Sequence, residues 1–105
     1  MLNSPSNLLG SVLKKDEIIK IADIVKKYDL LVYSDEVYDK LIFDNMDYFS
    51  IAQVPEVRDR VLILNSLSKS HAMTGWRIGY VVGSRDIISN MPKLQEGIVS
   101  CVSTF

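Results

Sequence analysis

The chain has 105 residues, room for one small domain and not for two ordinary ones. Apolar residues make up 48% and charged residues 24%, and the formal net charge is -1, so the composition predicts a globular interior and offers no strong field to nucleic acid or anionic lipid. One cysteine, Cys101, excludes an internal disulfide, and with His71 as the sole histidine a protein-built transition-metal site is not expected.

Residues 3–11, Asn-Ser-Pro-Ser-Asn-Leu-Leu-Gly-Ser, concentrate turn formers and predict a loop before a helix. From about residue 14 to 28, Ile18, Ile21, Ala22, Val25 and Tyr28 recur at three- and four-residue spacing. Asp16 and Glu17 stand early and Lys26 and Lys27 late, matching the helix dipole. Leu30–Tyr33 predicts a buried strand that ends at Ser34-Asp35. A second strand or hairpin arm is expected around Lys40–Phe43, before the polar turn Asp44–Asp47, and Ser50 is placed to cap a short helical turn ahead of Pro55. Val61–Leu64 and Ile78–Val82 read as strands. Gly83-Ser84 closes the latter and offers a cap to a helix from Arg85, which Pro92 must kink or restart.

The longest apolar runs are far too short to cross a bilayer, and Met1-Leu-Asn-Ser-Pro lacks the basic start of a secretion signal. No membrane partner and a cytoplasmic setting are therefore expected. Continuous apolar strands joined by helices argue for an α/β layered architecture. With three or four strands and one good covering helix, one sheet face would stay bare. That shortfall, and a further element beginning near Ser100–Phe105, predict a partial three-layer sandwich cut from a larger domain at both ends.

The chemistry concentrates in Ser66-Leu-Ser-Lys69-Ser-His-Ala-Met-Thr-Gly-Trp-Arg77, just beyond a strand end, where α/β sheets place ligands. Lys69 is an amine able to form an imine with an aldehyde. Ser66, Ser68 and Arg77 offer hydroxyl donors and a planar guanidinium to a phosphate dianion. The plain alternative for Lys69 is a solvated surface charge, and for Arg77 an ion pair with Asp35 or Glu36. Asp35 and Tyr38, at the end of the preceding strand, suit a carboxylate that keeps a pyridine nitrogen protonated and a phenol that donates to a ring oxygen. Their alternatives are a turn cap and a half-buried aromatic. Asn7 has an amide fit for the same ring oxygen, or is a turn residue. His71 is expected to be structural or peripheral, and Met73, Trp76 and Cys101 to pack against the domain or a partner.

These residues resemble the class I and II aminotransferases of fold type I, most closely the bacterial aspartate and aromatic branch. The resemblance is carried by Asn3-Ser-Pro-Ser-Asn7-Leu-Leu-Gly10, Ser34-Asp35-Glu-Val-Tyr38 and Ser66-Leu-Ser-Lys69 through Arg77-Ile-Gly-Tyr80, in the family's order and spacing. It implies pyridoxal 5'-phosphate as cofactor, with Lys69 as the lysine that holds it. Asp35 would then meet the pyridine nitrogen, Tyr38 and Asn7 the ring oxygen, and Ser66, Ser68 and Arg77 the phosphate. It also implies amino acid and 2-oxo acid substrates, a homodimeric parent enzyme, and residues 1–105 as part of the cofactor-binding large domain. Leu8 and Leu9 depart from the proline and threonine that usually follow the asparagine. A lyase or synthase using the same cofactor, or a non-catalytic truncated fragment or cofactor-binding module, shares these motifs.

Overall fold

The computed structural model describes residues 1–102; the suggested element near Ser100–Phe105 falls in part on residues 103–105, outside those described. Four strands form one sheet in the order β1 (Leu2–Asn3), β2 (Val32–Asp35), β3 (Val61–Ser66) and β4 (Gly79–Val82). The first three run parallel and β4 is antiparallel to β3. The register is set by Asn3, Asp35 and Leu64 side by side, and by Ser66 opposite Gly79. The α/β architecture expected from the apolar runs is the one observed.

Helix α1 (Lys15–Lys27) follows the predicted span and buries Ile18, Ala22 and Val25. Its first turn is held by the Lys14 backbone N–H donating to Glu17 Oε2 at 2.8 Å. Tyr28, expected on the apolar face, is the C-terminal cap and is 61% exposed. The chain leaves the helix through Asp29 at φ +53, with Asp29 N–H donating to Lys26 O and Leu30 N–H to Val25 O, a Schellman exit made without glycine. That exit uses up Leu30, so the strand starts two residues later than the apolar run suggested, at Val32.

The strand expected around Lys40–Phe43 is absent. Asp39 N–H donates to Glu36 O and Leu41 N–H to Tyr38 O, both at 2.9 Å. The backbone there is committed to consecutive turns and has no ladder partner. Conversely, Asn3, read as the start of a loop, joins Leu2 in a short edge strand beside β2, since two residues are too few to show periodicity. Ser50 caps a short 3-10 turn, Ile51–Gln53, its Oγ accepting from Ala52 N–H at 3.2 Å. Pro92 occupies the second position of α4 (Met91–Val99), after α3 (Arg85–Ile88). It starts a new helix where its missing N–H costs nothing.

The core lies between α1 and the sheet. Ile18, Ala22 and Val25 pack with Val32, Ile51, Val57 and Val61, and Ile63, Phe49 and Leu13 close its margin. Val32, Ser34 and Val61 thus face α1, while Tyr33, on the opposite side of β2, is half exposed. One sheet face is therefore well covered and the other less so. Gly83 ends β4 where a Cβ would overlap Leu62 Cδ2 and crowd Val61 O at 3.2 Å. A side chain there would oblige Leu62 to change its conformation.

Candidate functional site

The sequence-identified residues gather at the C-terminal ends of β2 and β3. Asp35 ends β2 on the face away from α1, because alternation sends Ser34 and Glu36 into the core and Asp35 out of it. Its Oδ1 accepts from the Val37 N–H at 3.3 Å, which is the cap role considered above. This weak local bond leaves the second carboxylate oxygen for another partner.

Tyr38 follows in the turn beyond β2. The Lys69 ammonium stands 5.7 Å from the centroid of its ring, inside the range of a cation–π contact. Lys69 lies in α2 (Leu67–Ser70), the single turn that follows β3, and is exposed. A lysine and a tyrosine 31 positions apart by number are thus brought together by the parallel pairing of β2 and β3. Tyr38 also lines a cleft of about 360 Å³ with Asn7, Pro5, Leu8, Leu41 and Phe43. Asn7 is exposed, and its backbone N–H donates to Asn3 Oδ1 at 2.9 Å. Leu8, at the position of the family's proline, has φ +90 and is 96% exposed. The cis peptide among the described residues is Ser4–Pro5.

At the other end of the group, Ser66 caps α2. Its Oγ accepts from the Ser68 N–H at 3.1 Å, lies 2.9 Å from Ser68 Oγ and donates to Ile78 O at 2.9 Å. One hydroxyl carries one proton, so with Ser66 donating to Ile78 the Ser68 hydroxyl donates to Ser66. The Ile78 carbonyl also accepts from Leu67 N–H at 3.2 Å, which ties the segment before β4 to the start of α2. Arg77, immediately before, has φ +55, and its Nη1 donates to Thr74 O at 3.0 Å. The rival ion pair with Glu36 is not formed, since that carboxylate is buried elsewhere. His71 is exposed, its Nδ1 2.8 Å from Ser70 Oγ. Of the three packing candidates, Met73 is half-buried, whereas Trp76 is 42% exposed and Cys101 is exposed.

A second cluster escaped the sequence reading. Glu36 is only 4% exposed, and its Oε1 accepts from Ser34 Oγ at 2.8 Å and from Ser50 Oγ at 2.7 Å. Tyr48 is close by, and burial first, then the nearby Glu36 charge, push its phenol well above the ordinary range. The signal available was a glutamate next to Asp35 in a strand-end motif, which sequence alone cannot tell from a solvated charge.

Among the described residues no group of histidine, cysteine and acidic side chains could hold a metal ion, and no helix is long and apolar enough to cross a membrane. The donor set fits pyridoxal phosphate: an amine for the aldehyde, a carboxylate for a protonated ring nitrogen, a phenol and an amide for the ring oxygen, and two hydroxyls and a guanidinium for the phosphate.

A family model for aminotransferase class I and II matches residues 1–105. The chain is 46% identical over 105 residues to an aspartate aminotransferase of Bacillus sp. strain YM-2 and 44% identical over 105 residues to one of Pyrococcus abyssi. It covers 99% and 100% of itself but 27% of each relative in these matches. The crystal structure of an aromatic aminotransferase from Pyrococcus horikoshii OT3 superposes with a TM-score of 0.92 at 42% identity, over 96% of this chain and 27% of that one. The chain spans about a quarter of the length of the relatives it matches.

Proposed function

The chain belongs to the aminotransferase class I and II family, a family of enzymes, and from that premise we propose that residues 1–105 form part of a cofactor-binding large domain. In its full-length setting that domain would transfer an amino group from an amino acid to a 2-oxo acid with pyridoxal 5'-phosphate. The observation that carries this reading is the Lys69 ammonium 5.7 Å from the Tyr38 ring centroid, with Asn7 lining the same cleft as Tyr38.

The cofactor, when bound, acts as an electron sink for the substrate α-carbon. Lys69 would supply the amine that holds the group's aldehyde, and its Nζ would serve as the general base and acid that carries a proton. Asp35 holds a proton on the ring nitrogen through its charge. Tyr38 Oη and the Asn7 amide donate to the ring oxygen. Ser66 and Ser68 turn their hydroxyls, and Arg77 its guanidinium, to the phosphate, which would draw Arg77 off the Thr74 carbonyl. A charge-assisted, bidentate contact to a dianion outweighs one hydrogen bond to a neutral carbonyl. The parent enzyme is proposed to be a cytoplasmic homodimer that needs neither nucleic acid nor membrane.

Because the chain spans about a quarter of its relatives, capture of the cofactor is the activity to test on it. Wild-type protein mixed with pyridoxal phosphate and reduced with borohydride is expected to carry a stable pyridoxyl label on Lys69, located by peptide mass spectrometry. Lys69→Ala should carry none. A label spread over surface lysines, or undiminished in the variant, would overturn the assignment.

A further inference from the structure

We infer that Glu36 is a positioning residue for Tyr38, acting as the buried acceptor on which the turn between β2 and the candidate site is hung. The inference rests on the reading of Tyr38 as a cofactor ligand only for its consequence in binding; the positioning itself is a property of the cofactor-free chain.

Three sets of bonds converge on Glu36. Its backbone N–H donates to Leu64 O at 3.0 Å, extending the parallel ladder one step past Asp35. Its carbonyl accepts from the Asp39 N–H at 2.9 Å, closing the turn that contains Tyr38. Its carboxylate Oε1 takes both the Ser34 and the Ser50 hydroxyl. Ser34 is the β2 residue just before Asp35, and Ser50 is the cap of the 3-10 turn whose Ile51 is fully buried in the core. The carboxylate therefore clamps the strand end to a core-anchored turn 14 residues away. A carboxylate nearly shut off from water holds such a place only with its partners satisfied. Removing it leaves two hydroxyls without an acceptor and frees the Asp39 and Tyr38 backbone to reorient.

Both serine hydroxyls use one oxygen, and this makes the role separable from mere charge burial. Glutamine can present its amide oxygen at that place and keep both bonds, whereas alanine keeps neither and aspartate is one methylene too short.

The test compares Glu36→Gln, Glu36→Ala and, as a stability control away from the turn, Val25→Ala. In cofactor-free protein, amide exchange by NMR at Asp39 and Leu41 is expected to accelerate at least tenfold more in Glu36→Ala than in Val25→Ala. Cross-relaxation between the Tyr38 ring and the Lys69 side chain should be lost, while Glu36→Gln stays within about twofold of wild type on both measures. Pyridoxal phosphate affinity should fall at least tenfold in Glu36→Ala and recover in Glu36→Gln. Equal exchange in Glu36→Ala and Val25→Ala, or a glutamine variant as poor as the alanine one, would overturn the inference. If Glu36→Ala does not fold, Ser50→Ala takes its place, with about a threefold acceleration expected and none as the refuting result. Failure of wild-type protein to capture the cofactor, with the exchange pattern as expected, would instead sink the functional reading and leave the positioning role standing.

Discussion

The two halves of the candidate site are built in different ways. The Asp35–Tyr38 half is held by buried groups, Ser34 at 2% exposure and Glu36 at 4%, and through Glu36 it is tied to Ser50, 14 residues away beyond an intervening loop. The Lys69–Arg77 half is largely exposed and, beyond the Ser66 and Leu67 bonds to Ile78 O, is held by short-range bonds, among them Ser70 Oγ to Ser66 O at a long 3.4 Å and Arg77 Nη1 to Thr74 O. Two of its non-glycine residues, Ala72 at φ +53 and Arg77 at φ +55, occupy the left-handed region. The contrast teaches that the Asp35–Tyr38 side is braced by the core, whereas the Lys69–Arg77 side is braced mainly by its own loop.

If that contrast is right, equivalent serine deletions should differ in effect. Ser34→Ala should cost about 1–3 kcal/mol in urea unfolding, since it strips a buried carboxylate of a partner. Ser70→Ala, removing a long bond near the surface, should cost under about 0.5 kcal/mol. Equal losses would erase the distinction.

Strain offers a second, smaller probe. Ala72→Gly should stabilise the chain by up to about 1 kcal/mol, because glycine relieves a left-handed conformation at the expense of a more disordered unfolded state. A destabilised variant in thermal melts would show that this loop is already well braced.

Alkaline titration gives the finest test. Unfolded tyrosine loses its proton near its ordinary value of 10.0, while folded Tyr48 keeps it to higher pH, through burial first and then the nearby Glu36 charge. Below pH 10 both states are protonated and stability is unaffected. Above it the unfolded state binds fewer protons, so stability falls as pH rises. Tyr48→Phe should flatten that decline between pH 10 and 11 relative to wild type, measured as the change in urea midpoint. Unaltered decline would mean that folding does not hold the Tyr48 phenol protonated above its ordinary range.

The motif residues of the candidate site could be picked out from the sequence because most of them stand at or just beyond a strand end. Lys69, Ser66 and Ser68 follow β3 directly, and Asp35 ends β2. The strand expected around Lys40–Phe43 failed because apolar content was read without the turn bonds from Glu36 O and Tyr38 O. The start of β2 was misjudged because a Schellman exit is usually marked by glycine, and Asp29 stands there instead.

By itself the sequence determined which groups this protein carries and in what order: an amine between hydroxyls and a guanidinium, a carboxylate and phenol after one strand, an amide in the first loop. Composition and local periodicity suffice for that, since motifs and helices are local. Only the tertiary structure decided which of these groups meet. Parallel pairing of β2 with β3 sets Lys69 beside Tyr38, and alternation across β2 sends Asp35 outward while it buries Glu36. Register and burial depend on residues far apart in the chain, and no window along it contains them.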